Sequence, residues 1–71
     1  MPSTSLKDIA YDPMRCTLEV TFISSGRRYR YFGVSAEEYA ALCSAFSKGR
    51  WFNIHIKPLH DYELLFEPSP A

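Results

Sequence analysis

A chain of 71 residues with 46% hydrophobic and 15% aromatic side chains makes one small folded domain and excludes wholesale disorder. Eight basic and eight acidic side chains give a formal net charge of zero. That balance excludes the basic excess of a dedicated nucleic-acid binder and the acidic excess of a nucleic-acid mimic. Neither a membrane span nor an export signal is visible, so we expect a cytoplasmic protein without membrane contact.

Two short strands are predicted at the start of the chain. Residues 5–11 form the first, and residues 12–15 (Asp-Pro-Met-Arg) are typical of a β-turn. Residues 16–23 alternate between apolar and polar side chains, which predicts a second strand with one face toward the core. The side chains on that face are Cys16, Leu18, Val20 and Phe22.

A hairpin to a third strand follows, with residues 25–26 (Ser-Gly) predicted as a two-residue loop. In this register Phe22 lies opposite Tyr29. Val20 then lies opposite Tyr31, so the inward face carries aromatic and β-branched pairs. The pairs predicted on the other face are Ile23 with Arg28, Thr21 with Arg30, and Glu19 with Phe32.

The main helix has a clear start signal. Ser35 and Glu38 form a capping box, and the apolar side chain of Val34 can pack against the first turn. We expect the helix to run to about Phe46, with Gly49 as the left-handed residue that ends it. The stripe facing the sheet is Tyr39, Leu42, Cys43 and Phe46.

The following segment is ambiguous. Residues 50–57 fit either a helix, with Phe52 and Ile56 one turn apart, or an alternating strand. Pro58 ends either element. Residues 62–66 are apolar enough to be ordered as an extended segment packed on the core.

A single domain is expected over residues 5–66, with a disordered start at 1–4 and a flexible tail at 67–71. Both cysteines are expected to be reduced and buried. The predicted core comprises Ile9, Tyr11, Leu18, Val20, Phe22, Tyr29, Tyr31, Tyr39, Leu42, Cys43, Phe46, Phe52 and Ile56.

The ordered set of motifs from residue 5 to residue 56 resembles the KTSC domain family. This family is named after a carboxy-terminal module of some lysyl-tRNA synthetases and also occurs as small stand-alone bacterial or phage proteins. The residues that carry the resemblance are Ser5, Ile9, Tyr11, Asp12, the strand Leu18-Glu19-Val20-Thr21-Phe22, Gly26, Tyr29, Tyr31, Ala45, Ser47, Gly49, Trp51, Phe52, Asn53 and Ile56. The departures are Ser35 where many members have proline, Trp51 where tyrosine is commoner, and the ending with Pro58 and His60.

The resemblance implies a small antiparallel sheet followed by helices, and it favours a short second helix over residues 47–55. The expected fold is therefore α+β: a three-stranded antiparallel meander, a main helix packed on the sheet, and a short second helix (β-β-β-α-α). The family has no established activity, and its synthetase context suggests RNA binding. No part of a synthetase catalytic domain is present.

Two basic and aromatic clusters are the candidate binding residues. In residues 27–32, arginines alternate with tyrosines, but the predicted register turns both tyrosines inward as core. In residues 48–57, Trp51 is either an exposed interface anchor or a cap on a thin core. The candidate binding residues are Arg27, Arg28, Arg30, Phe32, Lys48, Arg50, Trp51 and Lys57.

No catalytic constellation is predicted. The histidines and cysteines lack metal-ligand spacing, and the three glycines are too scattered to form a phosphate loop. We therefore expect a non-catalytic binding module without metal or cofactor, either monomeric or a weak homodimer. Two hypotheses stay open: binding of RNA or single-stranded nucleic acid, and protein interaction, for example as a phage-encoded adaptor or inhibitor of a host complex.

Overall fold

The structure, a computed structural model, describes residues 6–68 and consists of one antiparallel sheet with two helices. The elements are β1 (Leu6–Asp12), β2 (Thr17–Phe22), β3 (Arg28–Phe32), α1 (Ala36–Ser44), α2 (Lys48–His55) and β4 (Tyr62–Phe66). The strands lie in the order β1-β2-β3-β4. The predicted α+β fold with three strands and two helices is confirmed, and the extended segment predicted over residues 62–66 is a fourth strand.

The turn between β1 and β2 is confirmed, but the strand after it begins one residue later than predicted. The amide of Met14 donates to Asp12 Oδ1 at 2.9 Å, which closes the turn. Cys16 has a φ of +56° and is exposed, so its predicted place in the core is wrong. This left-handed residue turns the chain into β2, and the alternating face therefore begins at Leu18.

The β2–β3 hairpin keeps the predicted faces with a different register. Val20 lies opposite Tyr29 and Leu18 opposite Tyr31, whereas the sequence predicted Phe22 and Val20 in those places. The loop is longer than two residues because Phe22 donates its amide to the carbonyl of Arg27 at 3.0 Å. The shift is two residues along the strand, so every side chain stays on its predicted face.

The same shift corrects the pairs on the other face. Arg28 lies opposite Thr21, Arg30 opposite Glu19, and Phe32 opposite Thr17. Ile23 lies in the loop and is exposed rather than paired in the sheet.

Helix α1 begins as predicted and ends earlier. The Ser35 hydroxyl accepts from the Glu38 amide at 3.1 Å, and Glu38 Oε1 accepts from the Ser35 amide at 2.9 Å. The helix ends at Ser44 because Ala45 turns to an extended conformation. Phe46 is therefore carried into the connection and is fully exposed, so its predicted core position is wrong.

Cys43 is also exposed, against the prediction. The face of α1 that meets the sheet is centred between Tyr39 and Leu42. Cys43 lies about 100° further round the helix than Leu42 and faces away from the core. Gly49 does not end α1; it is buried in the first turn of α2.

The second helix is confirmed over Lys48–His55. The Ser47 hydroxyl accepts from the Arg50 amide at 3.4 Å and caps its start. Phe52 and Ile56, one turn apart, are completely buried. This helical pair decides the ambiguity that the sequence left over residues 50–57.

Strand β4 pairs antiparallel with β3, along the edge of β3 that faces away from β2. The connection after α2 ends where the amide of Phe32 donates to the carbonyl of Asp61 at 2.9 Å. Tyr62 then pairs with Tyr31 and Leu64 with Tyr29, and a bulge at Leu65 shifts the register. All five residues of β4 are exposed, so the strand pairs with the sheet without being covered by a helix.

One core lies between the sheet and the helices. The buried side chains are Leu18, Val20, Phe22, Tyr31, Val34, Leu42, Phe52 and Ile56, and the partly buried ones packed on them are Leu6, Ile9, Tyr11, Tyr29, Tyr39 and Trp51. The Phe52 ring meets the Tyr31 ring edge-on, with centroids 5.0 Å apart. Both helices therefore cover the face of the sheet that carries Tyr31, here called the inner face, and leave the outer face open.

The end of the described chain packs against the β2–β3 loop, and the predicted limits of the domain lie partly beyond the described residues. The expectations for residues 1–4 and 69–71 lie outside the described residues. Residues 67–68 lie against the β2–β3 loop: Glu67 pairs with Arg27 at 2.9 Å, and Pro68 lies beside Gly26. Within residues 6–68, no helix is long and apolar enough to cross a membrane.

Candidate functional site

The arginines of β3 lie on the outer face of the sheet, as predicted, and are held there by one carboxylate. Arg28 donates to Glu19 Oε1 from Nε at 3.2 Å and from Nη2 at 3.0 Å. Arg30 donates to Glu19 Oε2 from Nε at 3.2 Å and from Nη2 at 3.1 Å. Each oxygen of Glu19 thus receives a two-point contact from a different guanidinium group.

The third nitrogen of each guanidinium group also donates to a protein acceptor. Arg28 Nη1 donates to Thr21 Oγ1 at 2.7 Å, and Arg30 Nη1 donates to Glu63 Oε2 at 2.9 Å. Burial opposes ionisation of Glu19, but the hydrogen bonds and charges of the two arginines outweigh it, and the pKa of Glu19 is lowered.

The outer face as a whole does not carry a basic excess. Strand pairing places four carboxylates and two guanidinium groups on this side. They belong to Asp8, Asp12, Glu19 and Glu63, and to Arg28 and Arg30. A phosphate approaching this face would therefore meet arginines whose charges are already compensated.

The candidate residues of α2 lie on the opposite side of the sheet. Lys48 and Arg50 are exposed, and neither forms an ion pair within residues 6–68. Trp51 is half-buried, packs against the core, and has its ring centroid 4.6 Å from that of His55. Trp51 therefore covers part of the core, which was one of its two predicted roles, and does not stand free as an interface anchor. The eight predicted binding residues do not share one surface.

The inner face carries a cleft beside the β2–β3 hairpin. Its volume is about 310 Å³, at the lower end of ligand-binding pockets. It is lined by Phe22, Ser24, Ser25, Arg27, Tyr29, Tyr31, Lys57 and Tyr62. Arg27 and Lys57 thus come together in a place that the sequence did not predict.

Three tyrosines form one wall of the cleft. The ring of Tyr62 lies 5.5 Å from that of Tyr29 and 5.4 Å from that of Tyr31. Burial, and then the neighbouring tyrosines, raise the pKa of Tyr31 to about 12. Its hydroxyl therefore keeps its proton at neutral pH and can donate a hydrogen bond.

The open edge of the sheet is apolar. Four of the five residues of β4 are large hydrophobic side chains, and their exposed fractions are 59% for Tyr62, 47% for Leu64, 36% for Leu65 and 59% for Phe66. No other strand among residues 6–68 pairs with the far side of β4. This edge was absent from the predicted sites, although the Tyr-x-Leu-x-Phe alternation signals a strand.

His60, just before β4, contacts the end of β3 and the start of α1, and it was not among the predicted site residues. Its Nδ1 lies 2.9 Å from the carbonyl oxygen of Phe32, and its Nε2 lies 2.8 Å from Glu38 Oε2. Both partners are acceptors, so the ring donates to both only as an imidazolium. Burial opposes ionisation of Glu38, but the Ser35 amide and His60 outweigh it, and the pKa of Glu38 is lowered.

Within the part of the chain that the structure describes, no three histidine, cysteine, aspartate or glutamate side chains converge as metal ligands.

Three comparisons place this chain among known proteins. The sequence model of the KTSC domain matches residues 2–62. An uncharacterized protein of Stutzerimonas stutzeri (strain A1501) is 48% identical over 60 residues, which cover 84% of this chain and 83% of that protein. The crystal structure of the KTSC domain protein YPO2434 from Yersinia pestis matches with a TM-score of 0.82 and 33% identity, over 93% of this chain and 92% of that one.

Proposed function

As a member of the KTSC domain family, this chain has a sheet that ends in an open apolar strand, and we propose that it is a small non-catalytic module that binds another protein there. The occupant is an extended segment of the partner, which adds a strand to β4. The observation that supports this most strongly is the exposure of four large hydrophobic side chains on one edge strand.

An extended peptide segment is the partner structure that best fits the open edge of β4. The backbone amides and carbonyls on the far side of β4 have no strand partner within residues 6–68, and another strand would satisfy them in sequence. Natural edge strands are usually protected by charges or covered by other elements. Here only Glu63 carries a charge, and it is already engaged with Arg30 at 2.9 Å.

A selection experiment tests the proposal. Random linear peptides displayed on phage are selected on the immobilised chain and then measured against Leu64→Lys and Leu59→Lys. The control is matched because Leu59 is 71% exposed and lies outside β4, whereas Leu64 is 47% exposed within it. Peptides with alternating apolar residues that lose affinity only for Leu64→Lys support the proposal. Equal binding to both variants, or no enrichment, counts against it.

Nucleic-acid binding is a second candidate, and one surface favours it. Phe46 is a fully exposed ring next to the start of α2, where Lys48 and Arg50 are free of ion pairs within the described residues. An exposed ring and two free cations are the elements of a site for single-stranded RNA or DNA. Fluorescence anisotropy with a labelled oligonucleotide pool at low salt tests this. Absence of binding there, where phosphate contacts are strongest, would exclude it.

A further inference from the structure

The cleft on the inner face contains a hydrogen-bond donor that the protein itself does not use. Tyr31 is 1% exposed and lines the cleft. Its hydroxyl has no hydrogen-bond partner within residues 6–68, whereas the hydroxyl of Tyr11 donates to the carbonyl of Val34 at 2.8 Å. Tyr31 Oη is not among the buried side-chain atoms that lack a partner, so the hydroxyl is reachable from the cleft and available to donate to a ligand there.

The cleft also contains one uncompensated positive charge. Lys57 forms no ion pair within residues 6–68, and its Nζ lies 6.0 Å from the centroid of the Phe22 ring. Arg27, the other cation of the cleft, is paired with Glu67 at 2.9 Å. A single free ammonium group matches a ligand with one negative charge better than a doubly charged phosphate.

The side chains that line the cleft indicate the shape and polarity of the rest of the ligand. The rings of Tyr29 and Tyr62 lie beside that of Tyr31, and the Phe22 ring lies beside that of Tyr29. Neighbouring ring centroids are 5.4 to 6.4 Å apart. The Ser25 hydroxyl accepts from the Arg27 amide at 3.2 Å, which leaves its proton free to donate toward the cleft. Aromatic walls with polar donors at one side suit a flat apolar group that carries an anionic oxygen.

We propose that this cleft binds a carboxylate attached to an aromatic ring. The Tyr31 hydroxyl donates to the carboxylate, the Lys57 ammonium balances its charge, and the aromatic walls enclose the ring. The ligand is either a free aryl carboxylate or the carboxylate of a chain that ends in an aromatic residue. The site does not depend on strand addition at β4, so the two proposals can fail separately.

An NMR titration of the full chain tests the site. Benzoate and N-acetylphenylalanine represent the two sources of the carboxylate, benzamide is the neutral control, and phenyl phosphate is the doubly charged one. We expect saturable shifts of the Ser24, Ser25 and Tyr62 amides with a carboxylate, and much weaker shifts with benzamide. The tighter of the two carboxylates identifies the source. Absence of saturable shifts with both carboxylates, or tighter binding of phenyl phosphate, would overturn the proposal.

Two substitutions test the assigned groups. Tyr31→Phe removes only the hydroxyl, which has no partner in the described chain, so the variant should fold with unchanged or higher stability. It should bind the carboxylate roughly tenfold more weakly or worse, because a hydrogen bond to a charged group is lost. Lys57→Gln should have a similar effect, while Lys7→Gln, at an exposed position of β1 outside the cleft, should bind like the unmodified chain. Unchanged binding by Tyr31→Phe and Lys57→Gln would refute the assignment.

Discussion

Glu19 on β2 lies directly opposite Arg30 on β3, and the guanidinium group of Arg30 donates to Glu19 Oε2 at 3.2 and 3.1 Å. Glu19 Oε1 receives Arg28 in the same way. These contacts argue against a binding role for Arg28 and Arg30, which the sequence offered as candidate binding residues. The arginines of β3 are engaged by carboxylates of the sheet, and the surfaces that we propose for binding lie at β4 and in the inner cleft.

The first prediction concerns this carboxylate. Glu19→Gln should lower the free energy of unfolding by roughly 1–2 kcal/mol, because two partly buried guanidinium groups lose their charged acceptor. Urea unfolding at pH 7 measures the change. Glu37→Gln, which replaces an exposed carboxylate in the first turn of α1, should stay within about 0.5 kcal/mol. Equal effects of the two substitutions would contradict the assigned role of Glu19.

The second prediction concerns acid stability. The pKa values of Glu19 and Glu38 are lowered from the ordinary value of 4.5 in the folded chain, so the unfolded chain binds more protons. The stability they contribute is present above that ordinary value and is lost as the pH falls through the lowered values. The urea midpoint should fall with pH in this range, and the fall should be shallower in Glu38→Gln. A parallel pH dependence of both chains would contradict this.

The third prediction compares two phenylalanines that the sequence placed in the same core. Phe52→Ala should cost about 3–5 kcal/mol, because a completely buried ring leaves a cavity, and Phe52→Leu should cost less. Phe46→Ala should change stability by no more than about 0.5 kcal/mol, since its ring is fully exposed. Thermal unfolding followed by circular dichroism separates them. A large loss of stability in Phe46→Ala would show that Phe46 belongs to the core and would contradict its exposed position.

The fourth prediction concerns His60. His60→Ala removes the contacts to Phe32 and Glu38 and should loosen the start of β4. The Phe32 amide, which donates to the Asp61 carbonyl at 2.9 Å, should then exchange its hydrogen faster. Amide exchange measured by NMR reports this directly. His55→Ala is the matched control, because His55 is exposed and contacts the half-buried ring of Trp51. Unchanged exchange of the Phe32 amide in the His60 variant would show that β4 is held by strand pairing alone.

Local signals predicted the elements well, and the errors in the fold lie at the turns and at the end of α1. The capping box at Ser35 and the alternation from Leu18 to Phe22 depend on neighbouring residues and were read correctly. The hairpin register failed because Ser25-Gly26 looks like a two-residue loop, whereas the inward pairs fit two residues further along.

The candidate site was harder to predict than the fold. The contribution of Tyr62 to the cleft depends on β4 returning beside β3, a pairing across 31 positions of the sequence between Tyr31 and Tyr62. The compensation of Arg30 by Glu63 has the same origin. The alternation within β3 correctly placed its arginines and tyrosines on opposite faces, but it could not show that Glu63 lies beside Arg30.

Amide hydrogen exchange on the complex with a selected peptide tests most directly whether a partner adds a strand to β4. We expect the amides of β4 that point away from β3 to become protected on binding. The Leu64→Lys chain should show no such protection at the same peptide concentration, and the Leu59→Lys chain should behave like the unmodified one. Saturated binding that leaves the exchange of these amides unchanged would contradict strand addition at β4.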